Sequence, residues 1–139
     1  MAATFNKFES FVFELGKGLH HLHAAGDTLN YYLTNNLPDT ALDSVKTDLA
    51  GITEENGYAV ADAQNDYTET TGTGTLTCQP KVWTGTGAGF GPFQYVVLYN
   101  VTHASEALVA WWDYGSSISV LVDETFTITP GASIFTIDV

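Results

Sequence analysis

The amino-acid sequence predicts a mainly β domain of the α+β class: a β-sandwich or jelly-roll-like body with an N-terminal amphipathic helix and a short second helix. Three observations carry this reading. Apolar residues recur at spacings of three and four near the N-terminus, the helical period. A strictly alternating stretch follows at 29–34, the period of a half-buried strand. From Tyr58 onward Thr, Gly, Val and Tyr dominate, and each apolar run is short and bounded by turn residues. With 139 residues, 45% of them hydrophobic, the chain suits one core rather than two, so residues 1–139 are read as a single domain, with 1–26 helical and 27–139 mostly β.

The elements follow in order. Phe5, Phe8, Phe11, Val12, Leu15, Leu19 and Leu22 form one stripe of a helix that ends by Gly26. Gly16 and Gly18 weaken it by about 1 kcal/mol each relative to Ala, so it depends on packing against a sheet. Leu29, Tyr31 and Leu33 alternate with Asn30, Tyr32 and Thr34 as a strand, which Asn35-Asn36-Leu37-Pro38 ends. Leu42, Val45 and Leu49 lie at helical spacing behind Asp39 or Thr40 as N-cap, predicting a second helix over 40–49. Strands are then expected at 67–71, 74–79, 93–102, 107–114, 117–122 paired with 124–129, and 133–139, with turns at Asn56-Gly57, at 113–116 and at Asp123. The run Tyr95-Val96-Val97-Leu98-Tyr99 is apolar on both faces, which marks a central strand.

Charge narrows the function. Sixteen Asp and Glu face four Lys (Lys7, Lys17, Lys46, Lys81) and no Arg, a formal charge of -12. Phosphate-backbone binding rests on Lys and Arg releasing counterions, so nucleic acid is excluded as a partner, and an anionic membrane is disfavoured by the same repulsion. Acidity suits a basic protein partner or an outer surface that resists clumping. Cys78 stands alone and reads as a small apolar filler. The first residues lack the pattern of a secretory signal and no run reaches about 18 apolar residues, so folding in a cytoplasm is expected, and the sequon Asn100-Val101-Thr102 carries no glycan.

Chemistry-bearing patterns are incomplete. His20, His21 and His23 place two imidazoles on one helical face, but a zinc site needs three or four ligands, and the last turn of a helix is a sufficient reason for histidines. The glycines from Gly85 to Gly91 lack the Lys-Ser/Thr ending of a phosphate loop and lead into a strand, so a plain loop is expected. No Ser sits in a nucleophile elbow, and Asp113 with Glu124 is merely one of many possible carboxylate pairs. The expectation is a protein that is not an enzyme and needs no metal or organic cofactor. In Trp111-Trp112-Asp113-Tyr114 adjacent aromatics point to opposite faces of a strand, so either one Trp is core and the other exposed, or both are buried in different layers.

Longer stretches add a resemblance. Thr4-Phe5-Asn6-Lys7-Phe8, Ser10-Phe11-Val12, Leu33-Thr34-Asn35, Ile52-Thr53 and Asn56-Gly57-Tyr58 belong to it. So do Gly91-Pro92-Phe93-Gln94-Tyr95-Val96-Val97-Leu98-Tyr99-Asn100, the run from Trp111 to Ser117 and the run from Asp123 to Ile128. Across almost its whole length the chain resembles small structural proteins of tailed-bacteriophage virions. The resemblance implies a non-enzymatic virion component, and among stations a capsid decoration (cement) protein on the outer capsid surface. Its partners would then be the major capsid protein and copies of itself, as a homo-oligomer. Phe5, Phe8 and Phe11 on the helix and Trp111, Trp112 and Tyr114 on the strand are the candidate interface residues. A tail tube or tail-accessory protein is the first alternative, and a glycan-binding module that uses exposed Tyr and Trp is the second.

Overall fold

A computed structural model describes residues 3–138. The elements run β1 (Thr4–Lys7), α1 (Glu9–Gly16), β2 (Leu29–Thr34), β3 (Ala61–Asp62), β4 (Asp66–Thr70), β5 (Thr73–Thr77), β6 (Lys81–Thr84), β7 (Phe90–Asn100), β8 (Leu108–Val120), β9 (Thr125–Ile128) and β10 (Phe135–Asp138). The chain is mainly β: the strands form antiparallel sheets of five (β1-β8-β7-β2-β3), three (β10-β5-β4) and two (β6-β9), and α1 is the α-helix among the described residues.

β7 lies at the centre of the large sheet, as its two-faced apolar run predicts, and every residue from Tyr95 to Tyr99 is buried. Pairing of Tyr31 with Leu98 and Leu33 with Val96 on one side, and of Val96 with Trp112 and Trp112 with Phe5 on the other, aligns these residues on one face. That face meets the smaller sheets. Tyr31 donates its hydroxyl to Gln79 O at 2.9 Å, and Phe11 meets Phe135 of β10 edge-on at 5.6 Å. The opposite face carries Tyr32, Tyr99 and Trp111 and is covered by the segment after β2, where Tyr32 donates to Leu49 O at 2.8 Å and the Lys46 ammonium lies 5.0 Å from the Tyr99 ring centre. Each large side chain buried this way contributes about 1.5–3 kcal/mol of transfer free energy.

The N-terminal helix is shorter than its periodicity predicts. Phe5 lies on β1, paired with Trp112, and the helix begins only at Glu9. Cross-strand bonding to β8 outcompetes another helical turn, and Gly18 at φ 80 carries the chain out of the helix at the other end. The predicted helix over 40–49 does not form. Asp39 does cap the backbone N–H groups of Ala41 and Leu42, but Asp48 captures those of Ser44 and Val45. Acidic side chains thus take the donors a helix would use internally, leaving a single 3-10 turn at Lys46–Asp48 while Val45 bridges to Ala107.

The strands expected at 107–114 and 117–122 are one element, β8. At the expected turn over 113–116 the strand continues through a bulge: Tyr95 pairs with Asp113, residues 114–117 leave the β7 ladder, and the next registered pair is Phe93 with Ile118. The expected pairing of 117–122 with 124–129 is absent as well. Asp123 does turn, at φ 66, but Gly85 donates to Glu124 O and Asp123 to Gly85 O, which directs β9 onto β6. β6 itself was not foreseen in the sequence. The last strand covers Phe135–Asp138 and pairs with β5, while Val139, the end of the expected 133–139 strand, lies outside the described residues.

Candidate functional site

A groove of about 420 Å³ lies between the β1-β8 edge and β9. Its floor is built by alternation: Trp112 and Tyr114 point to the same side of β8, and Phe5 lies opposite Trp112 across the β1 ladder with ring centres 5.4 Å apart. Its far wall is Phe126 and Ile128 of β9, followed by Pro130. Tyr114 meets Phe126 edge-on at 5.9 Å, and Phe126 is anchored by Phe93 at 4.8 Å. The result is an aromatic trough with hydroxyl-bearing Thr127 and Thr129 on one rim.

The structure divides the six candidate interface residues. Phe5, Trp112 and Tyr114 come together in this groove. Phe8 and Phe11 are fully buried beneath the helix and cannot anchor a partner to the folded chain. Trp111 is on the other face of β8, 9% exposed, against Tyr95 and with its indole nitrogen 3.3 Å from Thr40 Oγ1. Trp112 is 7% exposed, so both Trp are buried in different layers, and Tyr114, at 42%, is the member of the cluster that reaches solvent. Phe126 and Ile128 were missed because β9 was assigned another partner. Their alternation with Thr127 was the available signal.

The histidines separate in space. His20 is buried, while His21 and His23 are exposed. Among the described residues no three His, Cys, Asp or Glu are grouped so as to hold a metal ion. His20 Nδ1 lies 3.0 Å from Asn100 Nδ2, and its Nε2 lies 3.5 Å from Glu14 Oε2. Burial pulls the His20 pKa below its ordinary 6.5, against the opposing pull of Glu14. For Asp27, burial favours the neutral form, but hydrogen bonds from the His21 N–H and the Asn100 amide outweigh it and hold the carboxyl below its ordinary 3.8. This buried network was also missed; the signal was a polar Asn100 closing an otherwise apolar central strand.

Remaining candidates have local roles. Asp113 accepts from Gln94 and from the Gly115 N–H, which fixes the bulge, and Glu124 accepts from the Leu121 N–H. The glycine-rich loop leads from β6 into β7, and at Gly85 and Gly89 the carbonyls of Leu121 and Val120 leave no room for a Cβ. Cys78 is buried, its thiol pushed up to about 12 by desolvation. Asn100 is fully buried, so its side chain cannot carry a glycan. Among the described residues no helix is long and apolar enough to cross a membrane.

No family model matches the chain, and neither a curated protein nor a solved structure does.

Proposed function

We propose that this chain is a non-enzymatic structural protein of a tailed-phage particle, a decoration protein that sits on the outer capsid surface and binds the major capsid protein and further copies of itself. The observation that carries the reading is the placement of exposed apolar side chains at both ends of β8. At one end, Phe8 N bonds to Val109 O and Glu9 N to Thr40 O, which sets α1 beside the segment that carries Leu42. Here Phe13 is 67% and Leu42 78% exposed, with Val12 and Leu37 also in solvent. At the other end Leu121 is 56% exposed beside Val122, with Val82 on the adjoining β6 ribbon. A thirteen-residue strand spans up to about 40 Å. Two apolar patches so far apart suit a small body that touches two neighbours at once, and exposed apolar patches of this kind mark association surfaces.

The charge of -12 favours an exterior position, because packaged nucleic acid repels it. The test adds purified protein to phage shells that lack it and measures what sediments with them. Phe13→Asp with Leu42→Asp, and separately Leu121→Asp with Val122→Asp, each lower retention about tenfold or more, the loss of about 1.4 kcal/mol or more of apolar contact. Both double variants remaining bound like the native chain contradicts the reading.

The groove favours a second reading, glycan binding. Tyr114, Trp112 and Phe5 offer aromatic surface for a sugar ring, with threonine hydroxyls at the rim. Retardation in gels containing soluble polysaccharide, lost in Tyr114→Ala, supports that reading over the first.

A further inference from the structure

We infer that His20, Asn100 and Asp27 form an acid-released latch that holds the Gly18–Leu22 stretch over Phe11. The argument starts from Asn100. Its side-chain oxygen accepts from the Thr102 N–H at 3.1 Å and the His103 N–H at 3.2 Å, which fixes the amide orientation. Its amide nitrogen therefore faces Asp27 Oδ2 at 2.7 Å and His20 Nδ1 at 3.0 Å, and gives one hydrogen to each. His20 Nδ1 must then be an acceptor, so the ring is neutral with its proton on Nε2.

A proton added to Nδ1 places two donors against each other at this distance, inside a site where Asn100 is fully buried and the His20 side chain has no exposure. The charged and titratable groups around the ring are few. α1 presents Glu14, which attracts the proton, as does Asp27, while His103 from the β7–β8 connection repels it; Tyr67 of β4 lines the same small cavity. Burial prevails over the two carboxylates. The His20 ring packs tilted against Phe11, with ring centres 5.0 Å apart, so its departure uncovers Phe11 and Leu22, next to exposed Val12 and Phe13 on α1. Acid thus enlarges the apolar patch at this end of the molecule.

The sign follows from linkage. The folded-state pKa of His20 lies below 6.5, so the unfolded or opened chain takes the proton first and the closed latch loses stability as pH falls from 6.5. Asp27 contributes in a separate window, around and below 3.8. The test is hydrogen exchange of the Leu19, His21 and Asp27 amides, each bonded within the latch region, at about pH 7.5 and about pH 5 after correction for the chemical rate. Exchange is expected to accelerate severalfold or more in acid, because the opened stretch accepts the proton that the closed latch refuses. His20→Gln abolishes the dependence, and His21→Gln and His103→Gln retain it. Native exchange that ignores pH, or acceleration that persists in His20→Gln, overturns the latch. Should His20→Gln not fold, NMR titration of the native imidazoles decides: His20 titrating below 6.5 supports the latch, and at or above 6.5 overturns it.

Discussion

Asn100 and Asp27 are joined by a 2.7 Å hydrogen bond that ties the end of the central strand to the loop leaving the helix. The same amide reaches His20, and its oxygen holds two backbone N–H groups. Asn100→Ala removes all four of these bonds, leaves the buried His20 Nδ1 without its donor, and is expected to cost about 3 kcal/mol or more, read as a lower urea midpoint. Asn100→Asp keeps the shape but sets a carboxylate against Asp27. Its cost is expected to be larger at about pH 7.5 than at about pH 5, where one carboxyl can hold a proton and His20 can become a partner.

Neighbouring aromatics on β8 are expected to behave differently. Trp112, packed between Phe5 and Tyr31, should cost about 3–5 kcal/mol when replaced by Ala. Tyr114→Ala, at a side chain 42% exposed, should change stability by less than about 1 kcal/mol. Chemical denaturation of both variants checks the difference, and a Tyr114→Ala protein that stays folded is then a clean probe of the groove.

Two glycines should respond in opposite directions to Ala. Gly16, the last residue of α1, has open space where a Cβ would stand, so Gly16→Ala is expected to stabilise by about 0.5–1 kcal/mol. Gly89 has φ +78 and the Val120 carbonyl against it, so Gly89→Ala should destabilise by about 1–3 kcal/mol or more. Thermal unfolding of the pair reads both signs.

Alkaline titration should find buried phenols silent. Desolvation raises Tyr31, Tyr32 and Tyr58 well above the ordinary 10.0. Because the unfolded chain loses these protons first, their contribution to stability is complete below pH 10.0 and is lost as pH rises beyond it. Absorbance of phenolate should therefore show at least three of the seven tyrosines appearing only together with unfolding. Over the same range, Cys78 should resist thiol reagents until the core opens.

The β class, β2, the central position of β7 and the turn at Asp123 were legible in the sequence, because strong alternation and two-faced apolar runs have few alternative uses. Long-range competition was not. The spacing of Phe5 to Leu22 satisfies a helix, yet β8 offers Phe5 a strand partner, and nothing local states that bargain. Asp39 reads as a helix cap and caps only a turn, because Asp48 occupies the next donors. In the site, the Trp-Trp-Asp-Tyr run located one wall of the groove, and the opposite wall depended on β9 choosing β6. His20 looked like part of a histidine triplet, while its partner Asn100 lies eighty positions away, a separation that periodicity does not span.

The proposal of a decoration protein predicts abundance, and the direct measurement is the copy number of the chain in purified virus particles, by quantitative mass spectrometry against the main shell protein. A number comparable to the shell protein is the predicted result. A handful of copies per particle points to the tail or a vertex, and absence from purified particles contradicts the virion assignment and leaves glycan binding at the Tyr114 groove as the standing reading.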